Sequence, residues 1–160
     1  MATNKLHLPN DKLLETMRNK ADTFGIPLPL LVAIAWQESR YNTDAVGTHG
    51  ERGLFQLRDG AWLDAGDTLP PAARMPFVYA HDEATSTMYA CRYLYWLNTK
   101  QKVGGLKTLD GIRDILQAYN GGVGNFKRGT VSAQAKRYAD SVIKHLITAS
   151  QLLGKAGQIS

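Results

Sequence analysis

A single cysteine, Cys91, excludes an internal disulfide, so the fold of this chain must rest on its core. No apolar run reaches the roughly 20 residues needed to cross a bilayer, which argues against stable membrane insertion by a helix. Residues 1–10 contain neither an unbroken apolar stretch nor a small-residue cleavage site, so the chain reads as made in the cytoplasm without an export signal. The four histidines, His7, His49, His81 and His145, stand far apart and form no His-x-x-x-His pair, so no metal site is expected and no cofactor is called for. Basic residues outnumber acidic ones by nineteen to fourteen, giving a formal charge of +5. Arg52, Arg58, Lys100, Lys102, Lys127, Arg128, Lys136 and Arg137 nevertheless form no run. The excess suits contact with polyanionic polymers but lacks the basic arm of a nucleic-acid binder, and no nucleic-acid partner is expected. No segment alternates apolar and polar residues with the period of a strand.

What remains is helical. A length of 160 residues with 44% hydrophobic content suffices for one core, and a single domain is expected over 1–160, with its ordered part at about 11–153. Asn10 and Asp11 open a first helix on which Leu13, Met17, Ala21 and Phe24 recur at helical spacing until Gly25. Pro27 and Pro29 suit the start of a second, where Leu30 to Trp36 are apolar on every side, the mark of a helix in the middle of a core. Residues 42–53 read as a loop, and 53–63 as holding one or two short helices. The prolines at 70, 71 and 76 make 64–79 an irregular surface excursion. From Asp82 a long helix carries Ala84, Met88, Cys91 and Tyr95 on one face and Tyr89, Tyr93 and Trp96 on another, up to Gly104. Further helices are expected over 109–119 and 132–153, with residues 154–160 frayed. The fold class is therefore mainly α, with no internal repeat.

Glu38 follows the apolar run of the second helix, with Ile34 one turn before it, so its carboxyl can sit against greasy surface. Desolvation keeps such a group protonated near neutrality, which is what a proton donor to a leaving oxygen requires. Read from this helix alone, Glu38 is first of all the solvated polar end of a core segment, and a proton donor only second. Ser39 has no histidine partner and reads as a brace for local backbone rather than a nucleophile. The glycines at 121, 122 and 124 lack the Lys-Ser or Lys-Thr of a phosphate loop. Cys91 reads as a small buried hydrophobe.

Three segments change the balance when taken in order: Glu38-Ser39-Arg40-Tyr41-Asn42, then Gly53-Leu54-Phe55-Gln56, then Ala118-Tyr119-Asn120-Gly121-Gly122. Together they resemble the catalytic domain of the soluble lytic transglycosylases, lysozyme-like enzymes that cut the glycan strands of peptidoglycan. In that family a Glu-Ser pair, a Gly-Leu-Met-Gln segment and an Ala-Tyr-Asn segment occur in this order, and the likeness covers about residues 30–142. The resemblance implies a lysozyme-like helical domain with a substrate groove. Glu38 would be its sole acid and base, and peptidoglycan strands its partner. It implies that Tyr119 hydrogen-bonds and orients Glu38, and that Gln56 and Asn120 contact the sugars. On the residues alone, Tyr119 also fits a core position, Asn120 a helix stop, and Gln56 an ordinary polar site.

The departures matter as much. Phe55 stands where the family has Met. Gly47 stands where many relatives place a serine that supports the Glu, leaving Thr48 as the nearby hydroxyl. Gln134 stands where relatives carry an acidic residue one turn before a helix tyrosine, here Tyr138, so contact with the peptide stem is expected to differ. Asp44 and Glu51 are close enough in sequence to act as a second carboxylate, a task the family assigns to neither. Ser39, Gln56, Thr48, Tyr119, Asn120 and Tyr138 are thus the expected substrate-side residues around Glu38. A wall-cutting enzyme without an export signal suggests a bacteriophage protein acting in the periplasm or wall, with other virion proteins as partners. The competing expectations are a hydrolytic muramidase of the goose-lysozyme kind and a catalytically silent glycan-binding virion protein.

Overall fold

The computed structural model describes residues 5–159, and these form seven α-helices without a sheet among them. Helix α1 spans Asp11–Phe24, opened by the Asn10 side chain, which accepts from the Leu13 N–H at 2.8 Å. Helix α2, Leu28–Ser39, starts on Pro27 and carries Pro29 in its first turn, where a missing N–H leaves no hydrogen bond unmade. Leu30 to Trp36 are all buried, so α2 is the axis of the domain, as its all-round apolar character predicts. Burial of Leu30, Leu31 and Ile34 contributes on the order of 2 kcal/mol each.

Around this axis α2 packs on α7 (Ala133–Ile159), and α7 packs on α5 (Leu109–Gly121). Helix α1 lies against α4 (Glu83–Tyr95), which also holds α3 (Asp59–Gly66). Helix α4 runs on into a wider π-turn, Trp96–Lys100, and a short α6, Val123–Arg128, follows α5. Cys91 is fully buried in this core, and burial pushes its thiol up to about 12, which leaves it inert.

Sequence patterning misplaced several boundaries. Asp64 belongs to α3, so the irregular excursion begins after Gly66. It contains two 3₁₀ turns, Pro71–Ala73 and Phe77–His81. That excursion is pinned: Trp62 stacks on Tyr89 with ring centroids 3.7 Å apart, the Trp62 indole N–H donates to Met75 O, and the Met75 N–H donates to the Tyr89 hydroxyl. On α4, Ala84 and Tyr95 are exposed, and the buried face runs through Ser86, Tyr89, Ala90, Tyr93 and Leu94. The expected stop at Asn120-Gly121-Gly122 is a bend, after which α6 starts at once. Helix α7 runs past the expected end at Leu153 and is helical to Ile159, through Gly154 and Gly157. Ser160 lies outside the described residues.

Candidate active site

Two consecutive left-handed residues, Arg40 at φ 53° and Tyr41 at φ 64°, end α2 abruptly. Non-glycine residues adopt this conformation at a cost of about 1 kcal/mol each. Here Arg40 donates to Trp36 O at 2.9 Å and lies over the Trp36 ring, while the Tyr41 hydroxyl donates to His7 O. The break leaves Glu38 in the last turn of α2, facing a cleft of about 570 Å³. From α7, the Tyr138 hydroxyl donates to Glu38 Oε2 at 2.9 Å, and one turn later Ser141 donates to Gln37 Oε1 at 2.9 Å. The carboxyl is thereby fixed from a second helix 100 residues away in sequence. Burial pushes its pKa from an ordinary 4.5 to about 7; the Tyr138 hydrogen bond opposes the rise and the charge of Glu51 adds to it.

The loop between α2 and α3 forms the opposite wall. It is cross-linked by isolated bridges, Val46 with Arg52 and Arg52 with Leu57. Gly53, at φ 81°, lies so close to Ala80 that a Cβ would run into the Ala80 carbonyl oxygen. Gln56, at φ 48°, donates from its amide to Ala45 O at 3.1 Å and to Gly53 O at 2.9 Å, which holds a strained backbone and leaves its Oε1 without a protein donor among the described residues. The Ser39 hydroxyl donates to Leu54 O at 2.8 Å and the Tyr119 hydroxyl to Phe55 O at 2.7 Å. The Gly53–Gln56 segment is therefore stitched to α2 and α5 through its carbonyls.

The structure brings Glu38, Gln56, Tyr119, Asn120 and Thr48 to one cleft. It corrects the expected roles in four places. Tyr119 does not bind Glu38; its hydroxyl is taken by Phe55 O, and its ring lies parallel to that of Tyr138 with centroids 6.4 Å apart. Tyr138, expected near the peptide stem, is the hydrogen-bond donor to Glu38, because α7 packs directly along α2. Ser39 braces Leu54 O, the backbone role read from its sequence context, but does not line the cleft as a substrate-side residue. The exposed Thr48 hydroxyl pairs with His49 Nδ1 at 3.2 Å on the cleft rim rather than with Glu38. Asn120 is exposed in the cleft beside Gly121 and Gly122.

Sequence reasoning missed further lining groups, Asp64 and Gly60 from α3 and Arg58 from the loop; of the two carboxylates weighed as partners of Glu38, Glu51 lines the cleft together with Tyr93 from α4, and Asp44 does not. Asp64 is raised by burial and by Asp67 beside it. For Glu51, burial pushes upward, but hydrogen bonds from the Glu51 and His49 N–H groups together with the Arg58 guanidinium outweigh it and hold the carboxyl below its ordinary value. The absence of a side chain at Gly47, a departure visible in the sequence, was the signal: a Cβ there would collide with Glu51 Oε2. Among the described residues no group of three or more His, Cys, Asp or Glu is placed to hold a metal ion.

A mainly helical domain whose central helix ends in a carboxyl raised toward neutrality beside an open cleft is consistent with the lysozyme-like class of folds. The chain belongs to the Transglycosylase SLT domain family, which matches residues 15–142. It is 36% identical over 96 residues to the membrane-bound lytic murein transglycosylase F of Pasteurella multocida, an overlap of 60% of this chain and 17% of that protein. The fold is shared with the 70 kDa soluble lytic transglycosylase of Escherichia coli at a TM-score of 0.75 and 17% identity. It is also shared with an inactive mutant of the lytic transglycosylase Slt of Pseudomonas aeruginosa, at 0.72 and 19%. Each of these two alignments covers 88% of this chain and 24% of the other. The chain thus spans less than a quarter of the length of these relatives.

Proposed function

We propose that this domain is a peptidoglycan lytic transglycosylase, cleaving the β-1,4 bond between N-acetylmuramic acid and N-acetylglucosamine with Glu38 as its acid and base. The observation that carries the reading is the Glu38 carboxyl itself: partly buried at the cleft, held by Tyr138 and raised to about 7, it is protonated in a large fraction of molecules at neutral pH. In the first half of the reaction Glu38 gives its proton to the glycosidic oxygen as the C1–O bond breaks. In the second, the Glu38 carboxylate removes the proton of the muramic C6 hydroxyl as its oxygen bonds to C1. The product carries a 1,6-anhydro end, and Glu38 regains its proton. The nucleophile comes from the substrate, so the pair of protein carboxylates that most glycosidases use is not demanded by the chemistry.

Support for the sugar side comes from the placement of Asn120 and of the free Gln56 Oε1 on opposite walls of the cleft, where they offer amide donors and an acceptor to acetamido and hydroxyl groups. No described helix is long and apolar enough to cross a membrane. Action on the wall from the periplasm accords with the named relatives. The narrower setting, a bacteriophage enzyme with virion proteins as partners, is compatible with this chemistry and is carried by neither the fold nor the relatives.

The test is digestion of purified murein followed by mass spectrometry. Wild-type protein is expected to release muropeptides lighter by one water than hydrolysed ones, and Glu38→Gln to release none above background. Fragments carrying only reducing ends would replace this reading with a hydrolytic muramidase. Equal, negligible release by both proteins would leave a glycan-binding module.

A further inference from the structure

Glu51 lies in the same cleft as Glu38 and is held there by two neighbours. Its Oε1 accepts from Arg58 Nε at 3.2 Å and its Oε2 from the His49 N–H at 3.1 Å, and its side chain is only 16% exposed. The chain makes room for it: the carboxylate occupies the space that a side chain at position 47 would take, and Gly47 has none. The backbone bridges of Val46 with Arg52 and of Arg52 with Leu57 cross-link the loop without the Glu51 side chain. We propose that Glu51 is the charge partner of Glu38, a fixed carboxylate that keeps the proton on Glu38 until the leaving oxygen takes it and then offsets the positive charge developing on the sugar ring.

The proposal rests on the transglycosylase reading and adds a second charged group to it. Glu51 acts through space, and no bond is made to it. The electrostatics fit the geometry, because two carboxyls in one site with pKa values driven apart divide into a proton donor and a standing anion. The other groups facing this pair are Tyr138 from α7, Tyr119 from α5, Tyr93 from α4, Asp64 from α3, and Arg58 and His49 from the loop. Among those lining the cleft, Arg58 is the cation, and it is paired with Glu51. Glu51 is also the carboxylate that acts on the Glu38 equilibrium.

The experiment is the pH–rate profile of murein digestion by wild-type protein, Glu51→Gln, Glu51→Asp and Arg58→Gln, with thermal unfolding as a check on folding. Activity of a general acid is lost as pH rises through its pKa, so the alkaline limb reports Glu38. Removing the Glu51 charge lowers the Glu38 pKa. Glu51→Gln should therefore shift that limb to lower pH by about half a unit or more and lower the rate at pH 7 roughly tenfold or more. Glu51→Asp, which keeps the charge, should restore most of the limb. Arg58→Gln breaks the ion pair but leaves the carboxylate, so its limb should stay in place or move to higher pH. A Glu51→Gln protein that unfolds at lower temperature with an unmoved limb would make Glu51 a structural brace and overturn the proposal. A Glu51→Gln protein that loses only hydrolysed products, with anhydro yield and limb unchanged, would make Glu51 a water-directing base and overturn it equally. If wild-type protein releases no anhydro ends, the transglycosylase reading fails; if it does and Glu51→Gln matches it at every pH, only the charge partnership fails.

Discussion

The two walls of the cleft are made of different kinds of chain, and each suits the carboxyl it carries. Glu38 stands at the end of a helix buried on all sides, among α5 and α7, where water is scarce and the ionised form is disfavoured. Glu51 stands on a loop whose Glu51 and His49 N–H groups face its carboxylate beside an arginine, where the ionised form is favoured although the side chain is little exposed. The His49 N–H is available to it because the turn there gives that group no backbone carbonyl. One site thus obtains a neutral acid from helix and a standing anion from loop, without a metal ligand cluster among the described residues.

The comparison breaks most completely at Glu38. Glu38→Gln keeps the shape and the Tyr138 partner but removes the proton, and murein digestion is expected to fall by roughly three orders of magnitude or more. The same variant should gain stability in a definite pH window. The folded Glu38 pKa, about 7, lies above its ordinary 4.5, so between these values the folded state holds a proton that the unfolded chain has lost. Wild-type stability therefore falls as pH rises from about 4.5 to about 7, whereas Glu38→Gln lacks that slope. Thermal unfolding at pH 4, 6 and 8 should show a melting difference that grows in favour of the variant and levels off above 7.

On the loop wall the largest effect is expected at Gly53. Alanine there meets a left-handed backbone and the Ala80 carbonyl together, a penalty of about 3 kcal/mol when strain and overpacking are combined. Because Gly53 O holds the Gln56 amide, activity should fall along with the urea midpoint. Next comes Tyr138→Phe. It deletes the one side-chain hydrogen bond to Glu38 among the described residues, a bond that lowers the pKa, so the alkaline limb should move to higher pH while the maximal rate drops roughly tenfold from lost orientation. Opposite displacements of the limb in Tyr138→Phe and Glu51→Gln would sharpen the contrast between the two walls.

The helical wall was largely legible in the sequence, and the loop wall was not. An apolar run as uniform as Leu30 to Trp36 has no other home than a core, so the place of Glu38 at its exit followed from patterning alone. The identity of its hydrogen-bond partner did not. Tyr119 on α5 and Tyr138 on α7 lie with their rings side by side, and the packing of α7 along α2 decides that Tyr138 reaches the carboxyl while Tyr119 meets Phe55 O. Such a choice depends on contacts some 100 residues apart, which periodicity does not encode. In the loop, the positive φ of Gln56 and the cross-links to Ala45 and Gly53 arise from tertiary closure. Gly47 was noticed as a missing serine when its physical meaning was space for the carboxylate of Glu51.

The smallest predicted effect is also the most specific to that space. Gly47→Ser places a Cβ where Glu51 Oε2 lies and presses on Gln56 Oε1 at 2.9 Å, but the colliding atoms are the ends of side chains, so the loop yields by displacing them rather than by unfolding. The single variant should lose about 1 kcal/mol and, with the Glu51 charge pushed from its seat, show an alkaline limb moved in the direction of Glu51→Gln. Glu51→Ala empties the seat at small cost, because its ion pair joins an arginine that is 60% exposed. In the double variant Gly47→Ser with Glu51→Ala the serine enters vacant space, and the two losses should combine to less than their sum by about 1 kcal/mol. Additive losses in urea titrations of the four proteins would mean that serine and glutamate do not compete for the site. The departure at position 47 and the carboxylate at 51 would then be two unrelated features of the loop instead of one exchange.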